Sequence, residues 1–235
     1  MKASPWGLVA LLLAATTLNY LDRQTLSILA PQLQQELGLD NRLLGILFGV
    51  FYYTYTLAQF AVGPLLDRMN LRKLYGGAVA GWSAAAGLTA TAGGFGGLLF
   101  WRMLLGVAES ANWPAALRLI QRALPPEKRN LANGIFTSGT SIGALLAPLL
   151  VLELSRRFGW RMAFVGVASL GLVWFAAWYL YSGKQEFAKL WHPVDTSGPK
   201  PRLVETYRSI FRLPRFWFVF GVSCLVNPCL YFLLN

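Results

Sequence analysis

Seven apolar stretches separated by short charged connections set the pattern of this chain. Each is long enough to cross a hydrocarbon layer ~30 Å thick as a helix rising ~1.5 Å per residue. The first covers Trp6 to Leu33, with Pro31 expected to bend or fray its outer end and Gln32, Gln34, Gln35 and Glu36 marking the exit. Leu43 to Leu66 is rich in glycine and aromatics, and Leu74 to Ala92 is largely Gly and Ala, a composition suited to close helix packing. The fourth stretch runs from Leu98 to Ile120. The fifth, Leu131 to Leu152, contains Gly139-x-x-x-Gly143 and then Pro148, a small-xxx-small spacing that does not by itself name a partner helix. The sixth, Met162 to Tyr181, ends in Trp174, Trp178, Tyr179 and Tyr181, which are expected at a membrane interface. A polar loop from Ser182 to Pro214 follows, and the seventh stretch begins near Phe216. The pattern predicts an all-α membrane protein divided into a six-helix bundle (1–182), a cytoplasmic connecting loop (183–214) and part of a seventh transmembrane helix (215–235). Because the seventh stretch has no closing loop before Asn235, the chain is expected to be a truncated product or a fragment of something longer.

Composition supports the membrane class: hydrophobic residues make up 55%, only 13% are charged, and the mean hydropathy is +0.46. The formal charge of +11 would otherwise point to nucleic acid, but the bases sit in connections between apolar stretches and act as orientation signals. With the N-terminus inside, fourteen Lys and Arg fall on the cytoplasmic side and four, Arg42, Arg156, Arg157 and Arg161, on the other. A cleaved signal peptide is a poor reading of the first stretch, since apolar sequence continues past Arg23 and six more stretches follow. Cys224 and Cys229 lack CxxC spacing, and the single histidine, His192, lies in a polar loop. Neither a disulfide framework, a metal site nor a His-based triad is expected, and no cofactor is implied.

Against this apolar background four charges stand out. Asp22 and Arg23 lie deep in the first stretch, and Arg102 and Glu109 in the fourth. Charges at such depth usually face a bundle interior or wet cavity and mark an ion or substrate path. Counted from the outer face, Arg102 and Asp22 both come out roughly 6 Å deep, level enough to pair, and Glu109 roughly 17 Å deep. Arg102 and Glu109, seven residues apart, share a helix face. Arg23 and Tyr20 lean towards the midplane, because helical side chains tilt towards the N-terminus. Tyr52, Tyr55 and Gln59 share a face of the second stretch, and Tyr55 and Thr140 fall near mid-depth. One polar patch fed by four helices is therefore expected, at the level where transporters bind substrate. The alternatives are a permanent bridge from Arg23 to a neighbouring acid, a structural Arg102–Glu109 pair, and core packing for Tyr55.

Gly63-Pro64-Leu65-Leu66-Asp67-Arg68-Met69-Asn70-Leu71-Arg72-Lys73 resembles the signature loop of the major facilitator superfamily. It departs at Asn70, where that family usually has Gly. Asn tolerates a left-handed backbone, so the turn is expected to survive. Asn19-Tyr20-Leu21-Asp22-Arg23-Gln24-Thr25-Leu26, the segment Arg102 to Pro114, Gly134-Ile135-Phe136-Thr137-Ser138-Gly139 and Gly159-Trp160-Arg161 resemble the anion:cation symporter branch, most of all its hexuronate transporters. The resemblance implies the N-terminal six-helix half of a twelve-helix fold. It also implies a monomeric, multi-pass protein of a bacterial cytoplasmic membrane, with no enzymatic activity, that takes up a small sugar-acid anion with protons.

On the same resemblance, Arg23 would hold the substrate carboxylate, a job for which its planar fork of donors is suited. Glu109 and Asp22 would carry protons, titrating together because they are close. Tyr20, Tyr55, Thr140 and Trp113 would line the substrate, Arg102 would be a cavity ion partner, and Gly63, Asp67, Arg68, Arg72 and Lys73 would form a cytoplasmic gating loop. Thr140 stands where related galactonate transporters have a larger amide, and Asn112 and Trp113 could equally pack at a bend before Pro114. The competing functions are an organophosphate or nitrate antiporter of the same fold and a transport-inactive fragment or sensor.

Overall fold

The computed structural model describes residues 4–192 and 203–234, with side chains given for 4–192 and 207–226. Lys2, Lys200 and Arg202 of the charge count, the Cys229 side chain and Asn235 lie outside what is described. Among the described residues the chain is almost entirely helical, with short connections and no strand. In order come α1 (Pro5–Leu37), α2 (Asn41–Arg68), α3 (Leu71–Leu88), α4 (Phe95–Glu109), α5 (Asn112–Ala123), α6 (Pro126–Ser182), α7 (Leu203–Phe211) and α8 (Pro214–Leu234). They form two compact units, Met1–Pro193 and Val194–Asn235. In the second, α7 and α8 follow one another closely, with Trp217 Nε1 donating to the Phe211 carbonyl at 2.8 Å.

Helix ends follow local chemistry. Ser4 caps α1, with Pro5 at its first position, and Gly38 closes it in the left-handed region at φ 65°. The helix continues six residues past Pro31, to Leu37, rather than fraying there. Asp40 caps α2 by accepting from Leu43 N at 2.7 Å. The connection between the second and third stretches is only two residues long. Asn70 is extended (φ −63°, ψ 118°), not left-handed, and serves as the cap of α3, its Oδ1 accepting from Lys73 N at 3.2 Å. Asn is a preferred residue at such a cap, which accounts for its presence without any appeal to a turn.

One expected single run, the fourth, is built differently. The Leu98–Ile120 stretch is split into α4 and α5 at Ser110–Ala111, four residues before the proline that cannot donate back to Ser110. The fifth and sixth stretches are two separate helical arms, labelled together as α6, that meet at Gly159, whose φ of 81° and ψ of 165° are not helical. Glycine alone adopts that conformation cheaply, so the chain reverses there. The first arm of α6 runs alongside α1: Gly139 meets Leu13, Gly143 meets Thr17 and Tyr20, and Ser155 donates to Gln32 at 2.6 Å. The second arm runs back, from Trp160 donating to Glu36 at 2.7 Å, through Trp174 donating to the Leu11 carbonyl at 2.7 Å, to Tyr181 donating to the Ser4 carbonyl at 2.8 Å. Both arms thus hold α1, the central helix.

Within the Trp/Tyr set at the end of the sixth stretch, the two tryptophans are core residues rather than part of an interface belt, while Tyr179 and Tyr181 are half-buried. Trp174 and Trp178 are 4% and 0% exposed, stacked at 5.2 Å and flanked by the Tyr75 ring. Their indole N–H groups find carbonyl partners on α1 and α3, which is why they can be buried. The stretch after Ser182 is likewise not a plain polar loop. Gln185–Leu190 forms a 3₁₀ turn that buries Phe187 and Trp191, and Leu71 N donates to the Trp191 carbonyl at 3.0 Å. Beyond Pro193, α7 occupies part of the expected loop.

A methyl carbon added at Gly143 would lie 2.8 Å from Tyr20 Cβ, whereas one at Gly134 would meet nothing within 4 Å. Gly143→Ala should therefore cost about 1–3 kcal/mol through overpacking, while Gly134→Ala should be neutral or slightly stabilising. Equal unfolding temperatures for the two variants in detergent would contradict the close α1–α6 approach.

Candidate functional site

The site begins with a glycine. At Gly106 the α4 backbone lies so close to α2 that an added carbon would sit 2.6 Å from the Phe51 carbonyl oxygen and 3.1 Å from Tyr55 N. Gly106 is flanked along α4 by Arg102 and Glu109, on the same side of the helix. The close approach therefore presses the two ionisable groups of α4 against the Phe51–Tyr55 face of α2. From α1, Arg23 completes the group: its Nε donates to Glu109 Oε2 at 2.7 Å, with Glu109 0% and Arg23 13% exposed. Of the alternatives left open by the sequence, a bridge from Arg23 to a neighbouring acid is what the geometry contains. The acid is Glu109, one of the two proposed proton carriers.

The ion pair leaves much hydrogen-bonding capacity unspent. Arg23 Nη2, Glu109 Oε1, and both Nε and Nη1 of Arg102 are buried without a partner. Arg102 is 4% exposed and Asp22 4%, yet the two form no ion pair within 4.0 Å, contrary to the level-matching expectation. Their charges, with those of Arg23 and Glu109, act on one another as a single electrostatic group. Asn19, 0% exposed, lies beside Glu109, near enough to act on its carboxylate, although neither amide atom makes a hydrogen bond of good geometry. Buried polar atoms without partners are rare, and here they cluster around one spot.

Aromatic rings form the floor. The Arg23 guanidinium carbon lies 5.3 Å from the Tyr20 ring centroid, 5.0 Å from Phe51 and 4.9 Å from Tyr55. That of Arg102 also lies 5.0 Å from the Phe51 centroid. Phe51 and Tyr55 stack at 5.9 Å. Arg23, Tyr20, Tyr55, Arg102, Asp22 and Glu109, expected in one patch, lie near one another, and Phe51 and Asn19, which the sequence pattern did not single out, lie among them. Helical spacing held the signal: Asn19 precedes Arg23 by four residues, and Phe51 precedes Tyr55 by four.

Thr140 and Trp113 do not join this group. Thr140 is half-buried beside Gly139, with no hydrogen bond to the pair. Trp113 packs edge-on against Phe136 at 5.0 Å. Asn112 is structural, accepting from Tyr75 Oη at 2.8 Å and donating to Thr16 Oγ1 at 3.3 Å. Tyr52 is largely exposed.

At the end of the bundle where α2 meets α3, the signature residues part company. Asp67 pairs with Arg118 of α5, at a spot where both are solvent-accessible. Arg72 turns inward, its Nε donating to Ser182 Oγ at 2.8 Å and its Nη2 to the Tyr179 carbonyl at 2.7 Å. Arg68 and Lys73 are exposed, and around Gly63 there is open space. Arg122 donates to the Leu190 and His192 carbonyls, fastening the 3₁₀ turn to α5. Its burial and the neighbouring Arg118 charge pull its pKa below the ordinary arginine value. Arg118 went unnoticed in the sequence, although it lies one helical turn before Arg122.

The chain is 34% identical over 181 residues to the hexuronate transporter of Escherichia coli (strain K12), covering 77% of this chain and 42% of that protein. It is 32% identical over 191 residues to the galacturonate transporter of Dickeya chrysanthemi, covering 81% of this chain and 55% of that protein. Thus it spans about half the length, or less, of these curated relatives. Among solved structures, a bacterial homologue of the human lysosomal transporter Spinster, in an inward-facing and unoccupied conformation, superposes with a TM-score of 0.73 at 23% identity, over 92% of this chain and 51% of that one. The fold is accordingly that of one half of such a transporter, and the protein is an integral membrane protein. Matched over residues 12–235 by the model of the Major Facilitator Superfamily, the chain belongs to that family.

Proposed function

We propose that this chain is the N-terminal half of a secondary transporter that carries a sugar acid of the hexuronate class into the cell together with protons, by alternating access. One observation carries the reading: a buried Arg23–Glu109 ion pair surrounded by unspent donors. With Glu109 charged, Arg23 is occupied. When Glu109 takes a proton, the pair loses its charge attraction and the Arg23 fork is free to take a carboxylate bidentately. Substrate anion and proton are then bound or released together, which is the logic of symport. Asp22, close enough to feel the charge of Glu109, shares that proton traffic. Tyr20 and Tyr55 bring aromatic rings and hydroxyls suited to a polyol to the same space. Asp67–Arg118, Arg72, Arg68, Lys73 and Gly63 form the gate at the α2–α3 end, on the cytoplasmic side if the loop charges set the N-terminus inside.

The two relatives described above, named for hexuronate and galacturonate, support this substrate class. An organophosphate antiporter is the competing reading, and one observation favours it: Arg102 adds a second buried cation with free donors on the same half. Counterflow separates the two, since glucuronate and galacturonate should exchange while glycerol phosphate should not.

In proteoliposomes of the whole transporter, Arg23→Ala should abolish glucuronate and galacturonate binding; micromolar affinity surviving the change would remove Arg23 from the site. Glu109→Gln should keep counterflow and lose pH-driven accumulation, and accumulation at the wild-type level would place the proton elsewhere. Residues 1–235 alone should give no uptake, because the second cavity wall is absent, so robust uptake by them would overturn the half-transporter reading.

A further inference from the structure

Two like charges sit unusually close to one apolar ring. The guanidinium carbons of Arg23 and Arg102 each lie 5.0 Å from the Phe51 centroid, and the ring itself is 1% exposed. Its backbone is fixed as well, because the Phe51 carbonyl is pressed against Gly106 of α4. Tyr55, stacked on the same ring, gives Arg23 a second aromatic face at 4.9 Å. In a medium of low dielectric, two guanidinium groups repel each other, and only groups of opposite polarity keep them together. Glu109 supplies that polarity while charged, but in the transport cycle proposed above it is neutralised. The ring face carries the negative end of the aromatic quadrupole and persists through every protonation state.

We propose that Phe51 is a positioning residue that holds Arg23 and Arg102 side by side once Glu109 has released Arg23, so that their free N–H groups meet one anionic group of the substrate together. The proposal rests on the reading of Arg23 as the carboxylate site and adds to it the element that keeps that site assembled. Arg23 Nη2 and Arg102 Nε and Nη1 are the donors so presented, all three buried and unpartnered. Phe51 touches no substrate in this account; it acts through the two arginines.

Shape and electrostatics can be separated at this position. Replacing Phe51 in the whole transporter with mono-, tri- and pentafluorophenylalanine keeps the ring's outline while progressively removing its negative face. Glucuronate affinity, read by direct binding, should fall stepwise along the series, to about tenfold weaker at the pentafluoro ring. Phe51→Leu should match that loss and Phe51→Tyr should restore wild-type binding. In a Glu109→Gln background, where the carboxylate charge no longer holds Arg23, the same series should be steeper. A flat series overturns the proposal, as does a loss seen only with Leu, which would mark a packing role. If the series is flat while Arg23→Ala abolishes binding, this inference fails alone. If Arg23→Ala leaves affinity unchanged, the carboxylate-site reading fails first.

Discussion

A guanidinium and a carboxylate held 2.7 Å apart between α1 and α4, one fully enclosed and the other nearly so, is the constraint around which the first six-helix unit is organised. Taking two such charges out of water costs several kcal/mol per ion, and their attraction repays this only when the geometry is good and the remaining hydrogen-bonding positions are filled. Here they are not all filled. Glu109 Oε1, Arg23 Nη2 and two Arg102 nitrogens remain unpaired, and Asn19 is unsatisfied beside them. A purely structural ion pair would close these positions. One left open on the side where three aromatic rings converge is suited to exchanging partners.

Close helix approach is what makes the pair possible. Gly106 brings α4 onto α2, and Gly139 and Gly143 bring the first arm of α6 onto α1, each by removing the carbon that would hold two backbones apart. In a membrane, where lipid is as apolar as a leucine side chain, such contacts and interhelical hydrogen bonds replace the hydrophobic drive of a soluble core. The second arm of α6 adds polar ties along α1 through Trp160, Trp174 and Tyr181. Glu36 at one end and Ser4 at the other show that the ties cover the full length of the helix that carries Arg23.

Much of this was legible in the sequence because intramembrane charge is costly and therefore informative. Asp22, Arg23, Arg102 and Glu109 could be assigned to the interior of the hydrocarbon layer and to one space from rise per residue and helical periodicity alone. Pairing partners could not. Depth counting made Arg102 and Asp22 level, but side-chain reach and helix tilt decide contacts, and Glu109 went to Arg23. The aromatic cluster at Trp174–Trp178 has the composition of an interface belt, and only the return of the chain at Gly159 turns it onto Tyr75 and into the core. Asn70 shows the same limit: residue type allowed a left-handed turn, but the two-residue connection needed a helix cap. Phe51 was overlooked because an apolar residue in an apolar helix carries no signal until the charges beside it are placed.

The central claim is that Glu109 must release Arg23 by taking up a proton before a carboxylate can bind. Calorimetric titration of glucuronate into the whole transporter, in buffers of differing ionisation enthalpy slightly above neutral pH, measures that proton directly. The account predicts net proton uptake on binding that shrinks in Glu109→Gln; binding heats independent of the buffer, in a protein that still binds glucuronate, would contradict it.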